Sequence, residues 1–313
     1  MIAPICLFTY TRLNETKRTV EALKNNYLAS ESELYIFSDG SKNEETFAKV
    51  KDVRRYLHSV EGFKAVKIIE ATENKGLANS IISGVTKILK QYQKAIILED
   101  DLITLPNFLN FMNKALDFYE DEKKIQSVNG FSLCIREKDA EEEVYFQQRP
   151  FSWGWATWSN RWNPDIFSKE TLRTEVNENP SLLKKFSKAC GDDIVKMFVN
   201  SIYDRNDSWY VRWTYNHFRN NTYSVYPFYS FIENIGFGES GTHCKGINSY
   251  EYKLNREEKT DFKFSKFGVP ALKTTKRFLK YFSLHHKLLI RIKLLGSEFG
   301  REQVLSEIKM KLK

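Results

Sequence analysis

Cysteine is scarce in this chain and poorly placed for chemistry. Four cysteines in 313 residues (Cys6, Cys134, Cys190 and Cys244) stand far apart and form no CxxC pair. That argues against a zinc site or a disulfide framework and makes a reducing compartment the expectation. No uninterrupted apolar run approaches the ~20 residues that a membrane-crossing helix needs. The opening stretch, MIAPICLFTYTR, carries no basic segment ahead of its apolar residues and does not read as a signal peptide. A cytoplasmic location is expected, soluble or peripheral at the inner face of the cell membrane. Internal repeats and low-complexity linkers are missing too, so the chain reads as one domain with a tail.

What is present is a chain 42% hydrophobic, enough for a sizeable core, with 14% aromatic residues that serve either that core or stacking on sugars and bases. The formal net charge of +8 is uneven. Between Ala271 and Lys313 stand eleven Lys/Arg and three acids, so the tail carries the whole excess. The remainder is neutral overall, and no nucleic-acid groove is expected across it.

Strand and helix patterns alternate through the first 119 residues. Strands are expected at Ala3–Tyr10, Glu33–Phe37, Ala65–Ala71 and Ala95–Leu98. Helices are expected after Asn14 and over Phe47–Leu57, Leu77–Leu89 and Leu105–Tyr119. Such alternation predicts an α/β fold with a mostly parallel sheet flanked by helices, whose ligands bind at the carboxyl ends of the strands. Arg12, Asp39, Asn74 and the triplet Glu99-Asp100-Asp101 all fall just beyond strand ends, so they should share one crevice. After residue 125 the alternation lapses. A strand at Ile125–Ser132 and an acidic loop at Glu137–Glu143 precede PFSWGWATWSNRW (Pro150–Trp162). A helical stretch near Ser181–Tyr203 leads to NDSWYVRW (Asn206–Trp213), two short strands and ENIGFGESGTH (Glu233–His243).

The triplet in AIILEDDLITLP (Ala95–Pro106) is the strongest chemical signal. Three adjacent carboxylates at the end of a buried strand repel one another unless a cation joins them. A hard divalent ion such as Mn²⁺ or Mg²⁺ suits oxygen ligands better than zinc does. The plainer alternative is a solvated acidic turn. Asp39 in SDG could accept hydrogen bonds from a base or ribose, or could belong to an ordinary Asp-Gly turn. Asn74-Lys75-Gly76 opens a helix and could offer amides and a cation to a diphosphate, or serve simply as a cap.

The order of these pieces resembles a GT-A glycosyltransferase, and more narrowly the family of the animal Golgi N-acetylglucosaminyltransferase I. EDDLITLPNFLNFM, PFSWGW (Pro150–Trp155), the Asp207-Ser208-Trp209-Tyr210-Val211-Arg212 stretch and FGESGTH (Phe237–His243) carry the likeness, which spans roughly residues 3–245. The resemblance implies a nucleotide-sugar half at about 1–125 and an acceptor half at about 126–250; beyond it, the charge and helical pattern predict a basic helical extension at 251–313. It implies Asp101 at the metal, and His243 at the metal or the diphosphate through a loop that orders on donor binding. Glu99 and Asp100 would touch the ribose or sugar, Asp39 the uracil and Arg12 the diphosphate, with Thr9 also at the nucleotide. Asn74 stands where the family has a histidine beside the base. Trp153 and Trp155 would wall the acceptor and donor sugar, with Trp209 also on the acceptor side. Asp207 would be the general base for inversion at the anomeric carbon, with Asp192, Asp193 and Asp204 as rivals and a helix N-cap as its plain alternative. The activity implied is metal-dependent transfer from a nucleotide diphosphate sugar, UDP-linked by preference, to a glycan or lipid-linked glycan. The expected lack of a signal peptide or membrane anchor, unlike the Golgi relatives, makes bacterial capsule, lipopolysaccharide or exopolysaccharide assembly the expected setting.

Two rival functions stay open. A sugar-phosphate nucleotidyltransferase would use a similar sheet and metal, but normally has a Gly-rich basic loop after its first strand, and TYTRLNE (Thr9–Glu15) has no glycine. A non-catalytic carbohydrate-binding protein would explain the tryptophans but not the acidic triplet. In the tail, Phe278, Phe282, Leu289 and Ile292 fit one helical face and Lys280, Lys287 and Arg291 another. That pattern suits either an anionic membrane surface or a helix packed on the domain.

Overall fold

The computed structural model describes residues 1–135, 142–237 and 247–312. Its centre is an eight-stranded sheet. The first strand, β1 (Ile5–Thr9), is buried along its whole length, as a strand apolar on both faces must be in a parallel sheet. Helix α1 (Leu13–Lys24) buries Thr16, Thr19, Val20 and Leu23 on one face. There follow β2 (Glu33–Ser38), α2 (Glu44–Leu57), β3 (Ala65–Glu70), α3 (Gly76–Leu89) and β4 (Lys94–Glu99). Asn43 and Thr46 close a reciprocal capping box at the start of α2.

The second half is woven differently. A short β5 (Leu102–Thr104) and α4 (Phe108–Phe118) precede β6 (Ile125–Asn129), β7 (Val144–Gln147) and β8 (Trp155–Trp158). Four helices follow, α5 (Lys169–Glu178), α6 (Ser181–Cys190), α7 (Asp192–Ile202) and α8 (Trp209–Arg219), then β9 (Tyr223–Pro227) and β10 (Ile232–Asn234). The helical stretch expected near 181–203 is thus two helices, broken at Gly191, whose φ of 102° is open only to glycine without strain. The tail forms α9 (Leu272–Lys280), α10 (Leu284–Leu294) and α11 (Glu298–Leu312).

Across the main sheet the order is β3-β2-β1-β4-β8-β6-β9-β7, while β10 pairs with β5 in a separate ribbon. Strands β3, β2, β1 and β4 run parallel. Strand β8 is antiparallel to both β4 and β6, and β7 is antiparallel to β9. The α/β architecture with a mostly parallel, helix-flanked sheet is therefore as expected. Alternation along the strands sorts the core. Ile5, Leu7, Ile96 and Leu98 join one apolar layer, while Cys6, Phe8, Ala95 and Ile97 join the layer on the other face. A third cluster, with Phe186, Phe198 and Tyr215, lies among α5 to α8. Phe278, Tyr281 and Phe282, from beyond residue 250, belong to the first layer.

Candidate active site

The strand order places a topological switch point beside β1. The chain moves from β1 to β2 and β3 on one side, then returns to β4 on the other, and the two strands part beyond their carboxyl ends. Arg12 follows β1 and the acidic triplet follows β4, with Phe8 and Glu99 paired across the sheet. There Arg12 Nη1 donates to Asp101 Oδ2 at 2.9 Å, and Nη2 donates to Asp100 Oδ1. The guanidinium expected on a diphosphate lies against these two carboxylates. The turn is held from both sides. Thr19 on α1 donates to the Asp100 carbonyl (2.9 Å) and accepts from the Leu102 amide (3.1 Å). Ile235 N–H donates to the Asp101 carbonyl at 2.9 Å, and Gly236 lies so close that a Cβ there would stand 1.9 Å from Asp101 Oδ2.

Among the described residues one guanidinium faces three carboxylates and does not balance them. Burial, reinforced by the charge of Asp101, pushes the Glu99 carboxyl up to about 8 despite Arg12. Burial likewise raises Asp100 to about 6, with Arg12 opposing. Among the described residues no three His, Cys, Asp or Glu side chains converge on one point that could hold a metal. The donor set nevertheless fits a hard divalent cation. It is all oxygen, undercompensated in charge, and leaves Asp101 Oδ1 outside any hydrogen bond among the described residues. Mg²⁺ and Mn²⁺ commonly take one or two carboxylates and complete their shell with phosphate oxygens and water.

Asp39 and Asn74 meet, but on each other. Asp39 Oδ1 accepts from the Gly40 and Lys75 amides (both 2.9 Å), while Oδ2 accepts from Gly76 N–H (3.0 Å) and Asn74 Nδ2 (3.1 Å). Four donors fill the carboxylate, so its side chain here fixes the turn that opens α3. Gly40 is needed because a Cβ would stand 2.3 Å from the Glu73 carbonyl carbon. Thr9, last in β1, is 4% exposed, and its hydroxyl has no partner among the described residues.

The tryptophans are core rings. Trp155 is 1% exposed, stacked on Trp209 at 5.2 Å and flanked by Trp162 and Trp213. Trp153 is buried among Phe131, Phe237 and Tyr250. Neither these two nor Trp209 offers an open face to a sugar, because each indole is covered by other aromatic rings. Asp207 stands apart, 43% exposed, at the entrance to α8. Its Oδ1 accepts from Arg212 (3.0 Å) and lies 3.3 Å from Lys169 Nζ, while Oδ2 has no partner among the described residues. Asp204 is bound by Lys169 and Arg173, Asp193 by Arg149, and Asp192 accepts from Ser187. His243 lies outside the described residues.

Several contributors are not read from the sequence. Arg54 on α2 donates to the carbonyls of Ser38, Asp39 and Ala71, at 3.4, 3.3 and 2.7 Å, and so ties the ends of β2 and β3 together. Arg149 is 3% exposed, pairs bidentately with Asp193 and donates to Tyr210 Oη, which in turn donates to the Pro150 carbonyl. A lone arginine in a buried-looking aromatic stretch is the signal that could have found it.

Residues 5–180 match the family described as Glycosyl transferase family 2. No curated protein matches the chain significantly. Among solved structures, similarity extends to a mannosyltransferase from Pyrobaculum calidifontis in complex with GDP-Man and Mn²⁺. It is 12% identical, with a TM-score of 0.34, over 50% of this chain and 44% of that one. A second is residues 1–349 of TarS from S. aureus, 12% identical with a TM-score of 0.34, over 55% of this chain and 49% of that one. A third is a putative nucleotide-diphospho-sugar transferase from Desulfovibrio desulfuricans, 10% identical with a TM-score of 0.31, over 66% of this chain and 99% of that one. The chain thus spans less than half the length of the first two.

Proposed function

Because this chain belongs to glycosyl transferase family 2, we propose that it transfers a sugar from a nucleotide diphosphate donor to a glycan hydroxyl, with inversion. The observation that carries this reading is the juxtaposition at the switch point, where Arg12 meets Asp100 and Asp101 across β1 and β4. The nucleotide end of the donor lies over β1 and β2, where the Thr9 hydroxyl, without a partner among the described residues, supplies a hydrogen bond. Asp101, with Asp100, holds the divalent cation, Mn²⁺ or Mg²⁺. That ion supplies charge neutralisation to the leaving diphosphate. Arg12 holds the two aspartates in place in its absence. Asp207 takes the acceptor hydroxyl proton on Oδ2, while Lys169 and Arg212 fix its other oxygen.

The likeness of EDDLITLPNFLNFM to the N-acetylglucosaminyltransferase I family supports a UDP-linked hexose or N-acetylhexosamine as donor. The acceptor we infer is a lipid-linked surface polysaccharide under construction, a reading supported by the basic tail, which carries the whole charge excess. A thermal-shift panel tests the reading directly, with UDP-, GDP-, CDP- and dTDP-sugars, each with and without Mn²⁺. One nucleotide series should stabilise the protein, and only with the cation. Equal shifts for all bases, or none for any, would refute it.

A further inference from the structure

The tail is not the single amphipathic helix that its pattern predicts. It is anchored first and exposed afterwards. Phe278 and Phe282 are 0% and 2% exposed in the core, and Tyr281 Oη donates to the Cys134 carbonyl at 3.0 Å. His286 Nε2 stands 2.9 Å from the Ser249 carbonyl, and the Arg149 guanidinium lies 3.5 Å over the Phe282 ring. Ser283 then caps a new helix, α10, so Leu289 and Ile292 leave the face that Phe278 and Phe282 define.

Along α10 and its C-cap, Leu284, Leu288, Ile292 and Leu295 recur at i, i+4, i+8 and i+11. They are 72%, 50%, 64% and 48% exposed. This spacing draws one stripe about 16 Å long down a single helix face. Helix α11 returns beside α10, joined by Arg291 Nε donating to Glu307 at 2.7 Å, yet leaves Phe299 70% exposed. Of the sixteen large apolar side chains exposed among the described residues, ten lie between 269 and 308. A soluble surface does not concentrate apolar area in this way without a partner.

We propose that α9, α10 and α11 form a docking surface for an anionic lipid membrane. Charge decides among the partners that an apolar stripe could take. The segment from 271 to 313 carries the entire net +8, and Lys273, Lys276 and Lys280 recur at i, i+3 and i+7 along α9. A second copy of the chain would bring an equal positive charge against it. A nucleic acid would satisfy the lysines but leave the leucine stripe in water. A lipid bilayer with anionic headgroups satisfies both, the stripe entering the headgroup boundary and the lysines resting on the phosphates. This goes beyond the transfer reaction and does not depend on it, since docking needs neither donor nor acceptor.

Co-sedimentation of the full chain with vesicles tests the proposal, using phosphatidylcholine with and without 30% phosphatidylglycerol. Binding should need the anionic lipid and should fall at least tenfold as salt is raised through the range where the Debye length shrinks from about 10 to 3 Å. The double substitution Leu288→Asp/Ile292→Asp should weaken binding at least tenfold, and Lys273→Glu/Lys276→Glu/Lys280→Glu should remove most of its salt dependence. All five residues are exposed, so the melting curves should match wild type. If the aspartate pair unfolds the protein, the lysine variant alone decides. The proposal is overturned if the full chain ignores anionic vesicles at low salt or if both variants bind like wild type. It is also overturned if the stripe instead mediates a concentration-dependent dimer that Leu288→Asp/Ile292→Asp abolishes.

Discussion

Two acidic clusters in this molecule have similar composition and opposite physical states. At the end of β4, Asp100 and Asp101, next to Glu99, pair among the described residues with Arg12 alone, and both aspartates are buried. At the entrance to α8, Asp204 and Asp207 are about half exposed and share three cations, Lys169, Arg173 and Arg212. Among the described residues the first cluster is short of positive charge, and burial with mutual repulsion raises Glu99 and Asp100. The second has more cations than carboxylates, and Lys169 lowers the Asp204 acid. The difference teaches which cluster can gain by taking in another cation. Sequence proximity of carboxylates matters less than their solvent and the number of cations already bound.

The contrast is broken most severely at Asp101. Asp101→Asn should reduce sugar transfer by ~10³-fold, the upper end of what is lost when a preorganised group at a developing oxyanion is removed, while the melting curve shows a folded protein. Transfer at wild-type rate would remove the cation from the account. Asp207→Asn should lower kcat by about 10²–10⁴, the range of general base catalysis, and leave donor affinity unchanged. If Asp192→Asn or Asp193→Asn shows that profile instead, the base is misassigned, and the second cluster is only structural.

A third comparison uses pH. The Glu99 carboxyl, raised from 4.5 to about 8, holds a proton in the folded chain that the unfolded chain has already released across that window. Stability from this group is therefore greatest below pH 4.5, falls as pH rises, and levels off above 8. Glu99→Gln removes that titration. The variant should gain about 2–4 kcal/mol over wild type between pH 5 and pH 8 in denaturant unfolding, less than the full shift because the side chain is partly open. A constant difference across that range would mean that Glu99 is ionised throughout. The smallest effect belongs to the exposed cluster. Lys169→Met should move Tm by no more than about 3 °C, because exposed ion pairs contribute little. A larger drop would show that this pairing braces α5 against the start of α8.

The strands and helices up to Tyr119 were legible because periodicity and chain order agree in a parallel α/β unit, where each strand is followed by its crossover helix. The second half was less so. Strand β8 enters between β4 and β6, and β9 arrives from nearly a hundred residues beyond β6, pairings that no local pattern records. The site was legible as a set of strand ends, since Arg12 and the triplet do converge. What each residue touches was not, because Arg12 and Asp101 are 89 residues apart in sequence. Trp153 and Trp155 were ambiguous for another reason. An indole suits both a sugar wall and a core, and only the packing of Phe131 on one side of the sheet and Trp209 on the other decides between them.

The central claim is that the undercompensated cluster at β4 binds the donor's cation and the balanced cluster at α8 does not. Calorimetric titration of Mn²⁺ into the protein in the presence of UDP, for wild type, Asp101→Asn and Asp207→Asn, tests this most directly. Wild type and Asp207→Asn should bind alike, and Asp101→Asn should bind at least tenfold more weakly. Equal binding by all three, or a loss confined to Asp207→Asn, would contradict it.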